Sequence, residues 1–154
     1  MRVMGMTGRI DLLDVNVWLA LSASEHPNYD SARAYWGNTA AERLAFCRIT
    51  MLGLLRLMTN VTVMGGVPLS VSEAWTAYAA WRAMPEVAVA REPEGCEALL
   101  AGWAGRDESS GRQWTDAYLA AFARSGGMRL VSFDRDFEQF DDLDLLLLTS
   151  SRAP

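Results

Sequence analysis

Aspartates occur at the points where short apolar runs end or helical patterns begin. Asp14 closes the run "IDLLD", Asp134 and Asp136 follow "LVSF", and Asp116 opens a helical pattern. Carboxylates without a neighbouring His or Cys are hard oxygen ligands, which select Mg²⁺ or Mn²⁺ rather than zinc. If they meet in one pocket, their repulsion favours a cation among them, and such a site suits hydrolysis of phosphodiester bonds. Asp11 lies in the same run as Asp14. Of the two, Asp14 is the preferred metal ligand because it stands at the end of the run.

Each of these aspartates also has a purely structural interpretation. Asp14 can cap the following helix by accepting a bond from an unpaired amide. Asp116 can interact with the dipole of its own helix, which is worth ~0.3–1 kcal/mol. Asp134 and Asp136 can form a turn and pair with Arg135. Taken singly, the residues are compatible with both interpretations. The choice depends on where the helices and strands place them.

Apolar runs alternate with helical patterns along the chain. Strand, helix, strand, helix in this order predicts an α/β fold, with a mainly parallel sheet and helices on both faces. Ligands of such sheets bind beyond the carboxyl ends of the strands. Asp14 and Asp134 both fall at such ends, and Asp116 falls at a helix start that can face the same edge. The strand-like stretches are 9–15, 43–49, 86–90, 128–133 and 143–149, and the helical stretches are 16–23, 26–36, 50–60, 70–84, 92–105 and 113–127.

Two helix starts can be predicted from capping residues. Thr50 is well placed as the N-cap of the helix over 50–60. Ser70 and Glu73 have the spacing of a capping box, in which the two side chains each accept a bond from the other residue's amide.

The composition excludes several classes of enzyme. With 154 residues, the chain is long enough for one domain, which we place at 9–150 after a flexible segment 1–8. All fourteen basic residues are arginines, so no lysine is present for a P-loop or a Schiff base. The absence of lysine also disfavours a phosphatase that forms an aspartyl intermediate. His26 is the only histidine, which argues against a zinc site.

Charge and hydropathy restrict where the protein acts. The net charge of -5 argues against broad binding to nucleic acid, although a local arginine-lined groove is compatible with it. No apolar stretch reaches the length of a signal peptide core or a membrane span. Cys47 and Cys96 form no CxxC pair and are predicted to be buried and reduced. These features predict a cytoplasmic protein that does not cross a membrane.

Five stretches that span most of the chain form an ordered set of motifs. They are "LLDVNVWLAL" (12–21), "HPNYDSARAYW" (26–36), "CRITMLGLLRLMTN" (47–60), "TDAYLAAFA" (115–123) and "LVSFDRDFEQF" (130–140). At these residues the chain resembles the PIN-domain family, and in particular the VapC-type toxin ribonucleases. Each motif alone is weak, but the ordered set is fairly specific.

The resemblance implies a three-layer α/β/α PIN-like fold with a small, mainly parallel central sheet. It implies an endoribonuclease that depends on Mg²⁺, with Mn²⁺ as a substitute, and cleaves RNA with metal-activated water. The first, third and fourth acids of the family fall on Asp14, Asp116 and Asp134, which are therefore expected to be catalytic and to bind the metal. Asn16 and Ser132 match positions that support these acids.

The chain departs from the family at the second acid. The stretch "TMLGLLR" (50–56) places Met51 where a glutamate is usual, and a thioether is a poor partner for Mg²⁺. Three interpretations remain open. The three aspartates can suffice, Asp136 can supply the missing carboxylate, or the protein can be a weakened or inactive module that binds RNA or its antitoxin.

The resemblance also implies partners for the protein. They are an RNA substrate, a VapB-type antitoxin whose C-terminal segment covers the acidic pocket, and a second copy of the chain in a homodimer. The helix over 70–84 and the run "LLLL" (145–148) offer apolar surface for either protein partner, although a core strand explains the leucines equally well.

Contacts to RNA phosphates would have to come from arginines. Arg56, Arg112 and Arg135 are the candidates nearest the motifs, and each can equally be a solvated surface charge. Trp114 can stack on a base, with packing as the alternative. Tryptophans at helical spacing, such as Trp75, are better explained by core or subunit contacts.

Overall fold

The computed structural model, which describes residues 8–104 and 114–150, contains five short strands in one sheet. The order across the sheet is β3-β2-β1-β4-β5, and every neighbouring pair is parallel. The predicted α/β fold with a mainly parallel sheet is therefore confirmed. The strands are β1 (Ile10–Leu13), β2 (Arg43–Phe46), β3 (Val87–Val89), β4 (Arg129–Ser132) and β5 (Leu145–Leu147).

The described residues form six α-helices, each within or close to a predicted helical stretch. None of them is long and apolar enough to cross a membrane. Of the predicted flexible segment 1–8, residues 1–7 lie outside the described part of the chain. The helices are α1 (Val15–Ser22), α2 (Tyr29–Asn38), α3 (Arg48–Met58), α4 (Val71–Arg82), α5 (Cys96–Ala104) and α6 (Trp114–Ser125), and a 3₁₀ helix spans Arg135–Gln139.

The sheet is buried on both faces. Successive side chains of a strand point to opposite faces, so Leu13 joins one core while Leu12 joins another. The core around Leu13 contains residues of α1, α2, α3 and α4, and the core around Leu12 contains residues of α5 and α6. This produces the three-layer α/β/α arrangement, and it explains why the strands read as continuous apolar runs.

One of the two predicted helix starts is wrong. Helix α3 begins at Arg48, with Cys47 as the N-cap, because β2 ends at Phe46 and the chain turns at once into the helix. Thr50 lies one turn in, where its hydroxyl accepts a bond from the amide of Cys47 at 2.9 Å. The capping box of Ser70 and Glu73 is confirmed, with hydrogen bonds of 2.7 and 3.1 Å.

Asp11 is a structural residue of the sheet. Its fully buried carboxylate accepts two bonds of 2.8 Å from the guanidinium of Arg129, one of 2.9 Å from the amide of Ala41 and one from the hydroxyl of Tyr35. Asp14 lies three residues further along the chain, roughly 10 Å away in extended conformation. Asp11 therefore anchors the end of α2 to the sheet, away from the edge where Asp14 lies.

Candidate metal centre

Two neighbouring strands end side by side at the edge of the sheet where the aspartates lie. β1 pairs with β4, with Leu13 opposite Val131. The amide of Asp14 donates to the carbonyl of Val131 at 2.9 Å. β4 ends at Ser132, two residues before Asp134. The strand order thus brings together segments that are separated by 118 residues in sequence.

Asp14 both caps a helix and faces the other acids. Its Oδ1 accepts a bond of 2.7 Å from the amide of Val15 at the start of α1, and its Oδ2 accepts one of 2.7 Å from the hydroxyl of Ser132. Burial raises the pKa of Asp14, and the charge of Asp134 adds to the rise, while the two hydrogen bonds oppose it. The capping and site interpretations are therefore compatible, because a carboxylate has lone pairs beyond those that accept these bonds.

Ser132 connects two of the candidate acids. Its buried hydroxyl donates to Asp14 and accepts a bond of 2.9 Å from the amide of Asp134. The side-chain amide of Asn16 donates to the same hydroxyl at 3.3 Å and accepts from the amide of Phe133 at 3.4 Å. Asn16 and Ser132 thus hold the ends of β1 and β4 in a fixed relation, as the resemblance implies.

Three carboxylates meet beyond this pair of strands. One oxygen each of Asp116, Asp134 and Asp136 lies within 4.8 Å of the others. Asp134 caps the 3₁₀ helix, and its Oδ1 accepts a bond of 2.9 Å from the amide of Asp136. Phe137 is fully buried and holds this turn against the core, which leaves Asp136 exposed at the mouth of the site. The structure therefore places Asp136 with two of the three predicted acids.

The location of Asp116 follows from the direction of the chain. Helix α6 precedes β4, and β4 runs parallel to β1, so α6 must begin at the carboxyl edge of the sheet and run back. Asp116 lies in the first turn of α6 and thus reaches the edge where Asp14 and Asp134 lie. Its pKa is raised to about 6, first by burial and then by the charges of Asp14, Asp134 and Asp136.

These features fit a divalent cation that prefers oxygen ligands. The cluster has carboxylate oxygens only, without His or Cys, and this donor set suits Mg²⁺ or Mn²⁺. The pKa of Asp116 is raised first by burial and then by repulsion from neighbouring carboxylates, and a bound cation would offset that repulsion. Asp14 lies beside the cluster, because the hydroxyl of Ser132 bonds both to its carboxylate and to the amide of Asp134.

Burial of Asp116 and its repulsion by the neighbouring acids together predict that the substitution Asp116→Asn stabilises the metal-free protein. The folded pKa of about 6 lies above the ordinary value of 3.8, so the penalty of ionising Asp116 is absent below pH 4 and complete above pH 6. A full shift of this size would correspond to ~3 kcal/mol, which solvent screening at this half-buried site reduces to about 1 kcal/mol. Urea unfolding in EDTA should therefore show a gain at pH 8 and none at pH 4. An equal gain at both pH values would contradict the electrostatic cause.

Met51, which stands at the position of the family's second acid, packs against the core around Leu13. It is half-buried against that core, and its sulfur accepts a contact of 3.5 Å from the guanidinium of Arg48. Gly53, on the same helix, permits close approach to α1, because a Cβ there would lie 3.1 Å from Val15. β2 runs parallel to β1 and leads directly into α3, so α3 begins at the same carboxyl edge of the sheet as Asp14. Arg48, which the sequence motifs did not single out, is the first residue of that helix.

The other candidates for RNA contacts lie in different surroundings. Arg135 is exposed beside the acids and pairs with Glu138 at 3.5 Å. Arg56 lines a groove between α3 and α4, and Arg112 lies outside the described residues. Trp114 is 57% exposed at the start of α6, two residues before Asp116.

Comparison with known proteins agrees with this architecture. The family model for the PIN domain matches residues 12–143. Ribonuclease VapC41 of Mycobacterium tuberculosis is 44% identical over 143 residues, which cover 89% of this chain and 97% of the relative. PIN nucleases depend on metal ions, and the acidic cluster described above is present here.

Solved structures show the same fold. The crystal structure of M. tuberculosis VapC20, a toxin that cleaves the sarcin-ricin loop, aligns with a TM-score of 0.65 at 19% identity, covering 87% of this chain and 97% of that one. VapBC2 from Rickettsia felis, bound to a DNA fragment from its promoter, aligns with a TM-score of 0.61 at 12% identity, covering 90% and 98%. The family match, the close relative and the arrangement of the acids agree, and this chain belongs to the PIN-domain family and, within it, to the VapC-type ribonucleases.

Proposed function

We propose that this ribonuclease is an endoribonuclease toxin that uses Mg²⁺, or Mn²⁺ as a substitute, held by Asp14, Asp116 and Asp134. The observation that carries the proposal is the convergence of Asp116 and Asp134, together with Asp136, within 4.8 Å, with Asp14 beside them. Such a concentration of negative charge is unfavourable without a cation. The ordinary structural roles of the aspartates explain each residue singly, but they do not explain why the residues meet.

The residues of the chain have distinct tasks in this proposal. When bound, the divalent cation supplies a Lewis acid that stabilises charge on the scissile phosphate and lowers the pKa of water. Asp116 and Asp134 offer the oxygens that face the site, and none of the carboxylates needs to transfer a proton. Ser132 and Asn16 fix the orientation of Asp14 and Asp134 through the bonds described above. Arg135, which follows Asp134 in the chain, and Arg48, the first residue of α3, are the arginines that we propose contact the RNA backbone.

The experiment that tests the function is cleavage of structured RNA by the purified chain. We expect cleavage with Mg²⁺ or Mn²⁺, no cleavage in EDTA, and recovery when the metal is returned in excess. The products should carry 5′-phosphates, because the family hydrolyses the bond on the side of the departing 3′-oxygen. Cleavage that persists in EDTA would refute metal dependence, and failure to cleave any RNA would favour the second candidate function below.

The second candidate is a PIN-like module that binds RNA or its antitoxin with little or no nuclease activity. The observation in its favour is Met51, which packs against the core and contacts Arg48 where the family has a glutamate. We favour an active site in which Asp136 supplies the fourth carboxylate, because its oxygen already lies with those of Asp116 and Asp134.

An active site completed by Asp136 predicts that substitutions of Asp136 and of Met51 have unequal effects. Asp136→Asn should lower Mn²⁺ affinity, measured by calorimetry, and RNA cleavage by on the order of tenfold or more, a size typical when a group supporting a metal site is lost. Met51→Glu in the wild-type background should change both by less than about threefold, well under that range. Asp141→Asn, in the loop that follows, serves as the charge-matched control. If Met51→Glu alone raises cleavage sharply while Asp136→Asn has no effect, the missing acid is not supplied by Asp136.

We further propose that the protein acts in the cytoplasm and is held inactive by a VapB-type antitoxin. The solved VapBC2 complex, which shares the fold, supports an antitoxin as partner. An antitoxin that covers the acidic edge should block cleavage and compete with divalent cations. We also propose that the chain pairs with a second copy of itself, as the resemblance implies.

A further inference from the structure

Trp114 differs from the other tryptophans of the chain in its surroundings. It is 57% exposed and makes no ring contact with the described residues. Its indole therefore adds little to either core, which disfavours packing as the reason for a tryptophan at this position. The other five tryptophans each contact a second aromatic ring, and they are Trp18, Trp36, Trp75, Trp81 and Trp103.

The indole of Trp114 lies on the side of α6 that faces β2 and β3. Tyr118, one turn later, shares that side of the helix, and its hydroxyl donates to the carboxylate of Glu92 at 2.7 Å. Glu92 follows the end of β3, where the amide of Ala90 still donates to the carbonyl of Phe46 in β2 at 2.8 Å. Because α6 begins at the carboxyl edge of the sheet, Trp114 stands at that edge beside β2 and β3.

The acids lie on the opposite side of the same helix start. Asp116 is about 200° around the axis of α6 from Trp114, at 100° per residue. Its carboxylate meets those of Asp134 and Asp136, which follow β4. Opposite sides of a helix are about 10 Å apart when side chains are included. Trp114 therefore flanks the acidic site without lining it, in a position for a nucleotide next to the one that is cleaved.

Two arginines follow the strands on the side of Trp114. Arg48 begins α3 directly after β2, and Arg91 is exposed after the end of β3. A cation in the first turn of a helix is unfavourable for the helix dipole, so Arg48 does not serve to stabilise α3. The net charge of -5 and the nearby acids repel phosphates, whereas stacking uses the face of a base. An aromatic platform with adjacent cations is the combination that binds single-stranded nucleic acid.

We propose that Trp114, with Arg48 and Arg91 beside it, forms a stacking platform for an unpaired base adjacent to the scissile phosphate. The choice of RNA as the ligand rests on the proposed function. Bases in a duplex are covered on both faces, so the platform selects RNA that is unpaired at this nucleotide. It accepts any of the bases, because each has a face on which an indole can stack.

The test is binding of a fluorescein-labelled oligo(A) of about ten nucleotides, followed by anisotropy. The protein is the full chain carrying Asp116→Asn, in EDTA, so that RNA is not consumed. Adding Trp114→Ala should weaken binding about 5- to 100-fold, the range for loss of one stacked base, whereas Trp114→Phe should retain most of the affinity. Trp75→Ala is the matched control, since Trp75 is 56% exposed on α4, which packs on the other face of the sheet.

A second probe separates stacking from contacts to the backbone. A sugar-phosphate chain of the same length without bases should bind equally to the proteins with and without Trp114→Ala. Indole fluorescence should fall when oligo(A) binds, and this fall should be lost in Trp114→Phe. Urea unfolding should give the same midpoint for all variants, because Trp114 is exposed at the end of its helix.

The results that would overturn the platform are distinct from those that would overturn the nuclease. Equal binding of oligo(A) with and without Trp114→Ala, or equal weakening for both probes, would refute stacking even if the wild type cleaves RNA. The same refutation follows if Trp114→Ala weakens only the binding of an antitoxin. Conversely, loss of oligo(A) binding in Trp114→Ala would support the platform even in a chain that cleaves no RNA.

Discussion

Asp134→Asn and Asp116→Asn are each expected to lower RNA cleavage by at least about a hundredfold, since loss of outer partners of a metal site already costs 10–100-fold. The amide keeps the size and shape of the carboxylate, but it removes the charge that would hold the cation. Asp134 also caps the 3₁₀ helix through its Oδ1, and an asparagine oxygen can still accept that bond. The measurement is the initial rate of cleavage of one RNA at saturating Mg²⁺.

The control for these substitutions is Asp30→Asn, an exposed acid in the first turn of α2. It should cleave at the wild-type rate. Asp116→Asn carries a second signature, because it should be less active and yet more stable without metal, a combination that misfolding does not produce. Undiminished cleavage by both variants would show that the activity comes from another site or another protein.

Arg129→Met is expected to destabilise the protein by about 3–5 kcal/mol, the cost of leaving one partner of a buried ion pair alone. The side chain of Arg129 is 12% exposed and that of Asp11 is fully buried, with two bonds of 2.8 Å between them. Arg129 also donates to the carbonyl of Thr39 at 2.8 Å. The pair therefore joins β1, β4 and the end of α2, and the same carboxylate raises the pKa of Tyr35 beyond what burial does.

The chain contains its own control for this prediction. Arg9 and Asp144 form an exposed pair at 3.1 Å, with side chains 56% and 58% exposed, so Arg9→Met should cost less than about 1 kcal/mol. Both variants are compared by urea unfolding at pH 7. The double variant Asp11→Leu, Arg129→Met should recover part of the loss, because no buried charge then remains. Equal effects of Arg9→Met and Arg129→Met would show that burial does not strengthen the pair.

The repeating pattern of the sequence was sufficient to predict the parallel sheet, and family resemblance was sufficient to predict the three-layer fold. Periodicity and length indicate a strand or a helix locally, and alternation of the two restricts the topology to parallel pairing. The capping box of Ser70 and Glu73 could be predicted for the same reason, since it depends on a spacing of three residues. Thr50 was misplaced because nothing in "CRIT" marks that the helix begins directly after β2.

The roles of the aspartates depended on information that is not local. Asp11 and Asp14 stand in the same run, and only the partners of Asp11, Arg129 and Tyr35, identify it as structural. Asp136 joins Asp116 and Asp134 because Phe137 is buried and turns the chain, and α6 begins at that edge. Distances between side chains separated by many residues follow from the order of the strands. The sequence by itself therefore determined the elements and the candidate acids, and the tertiary structure decided which acids meet.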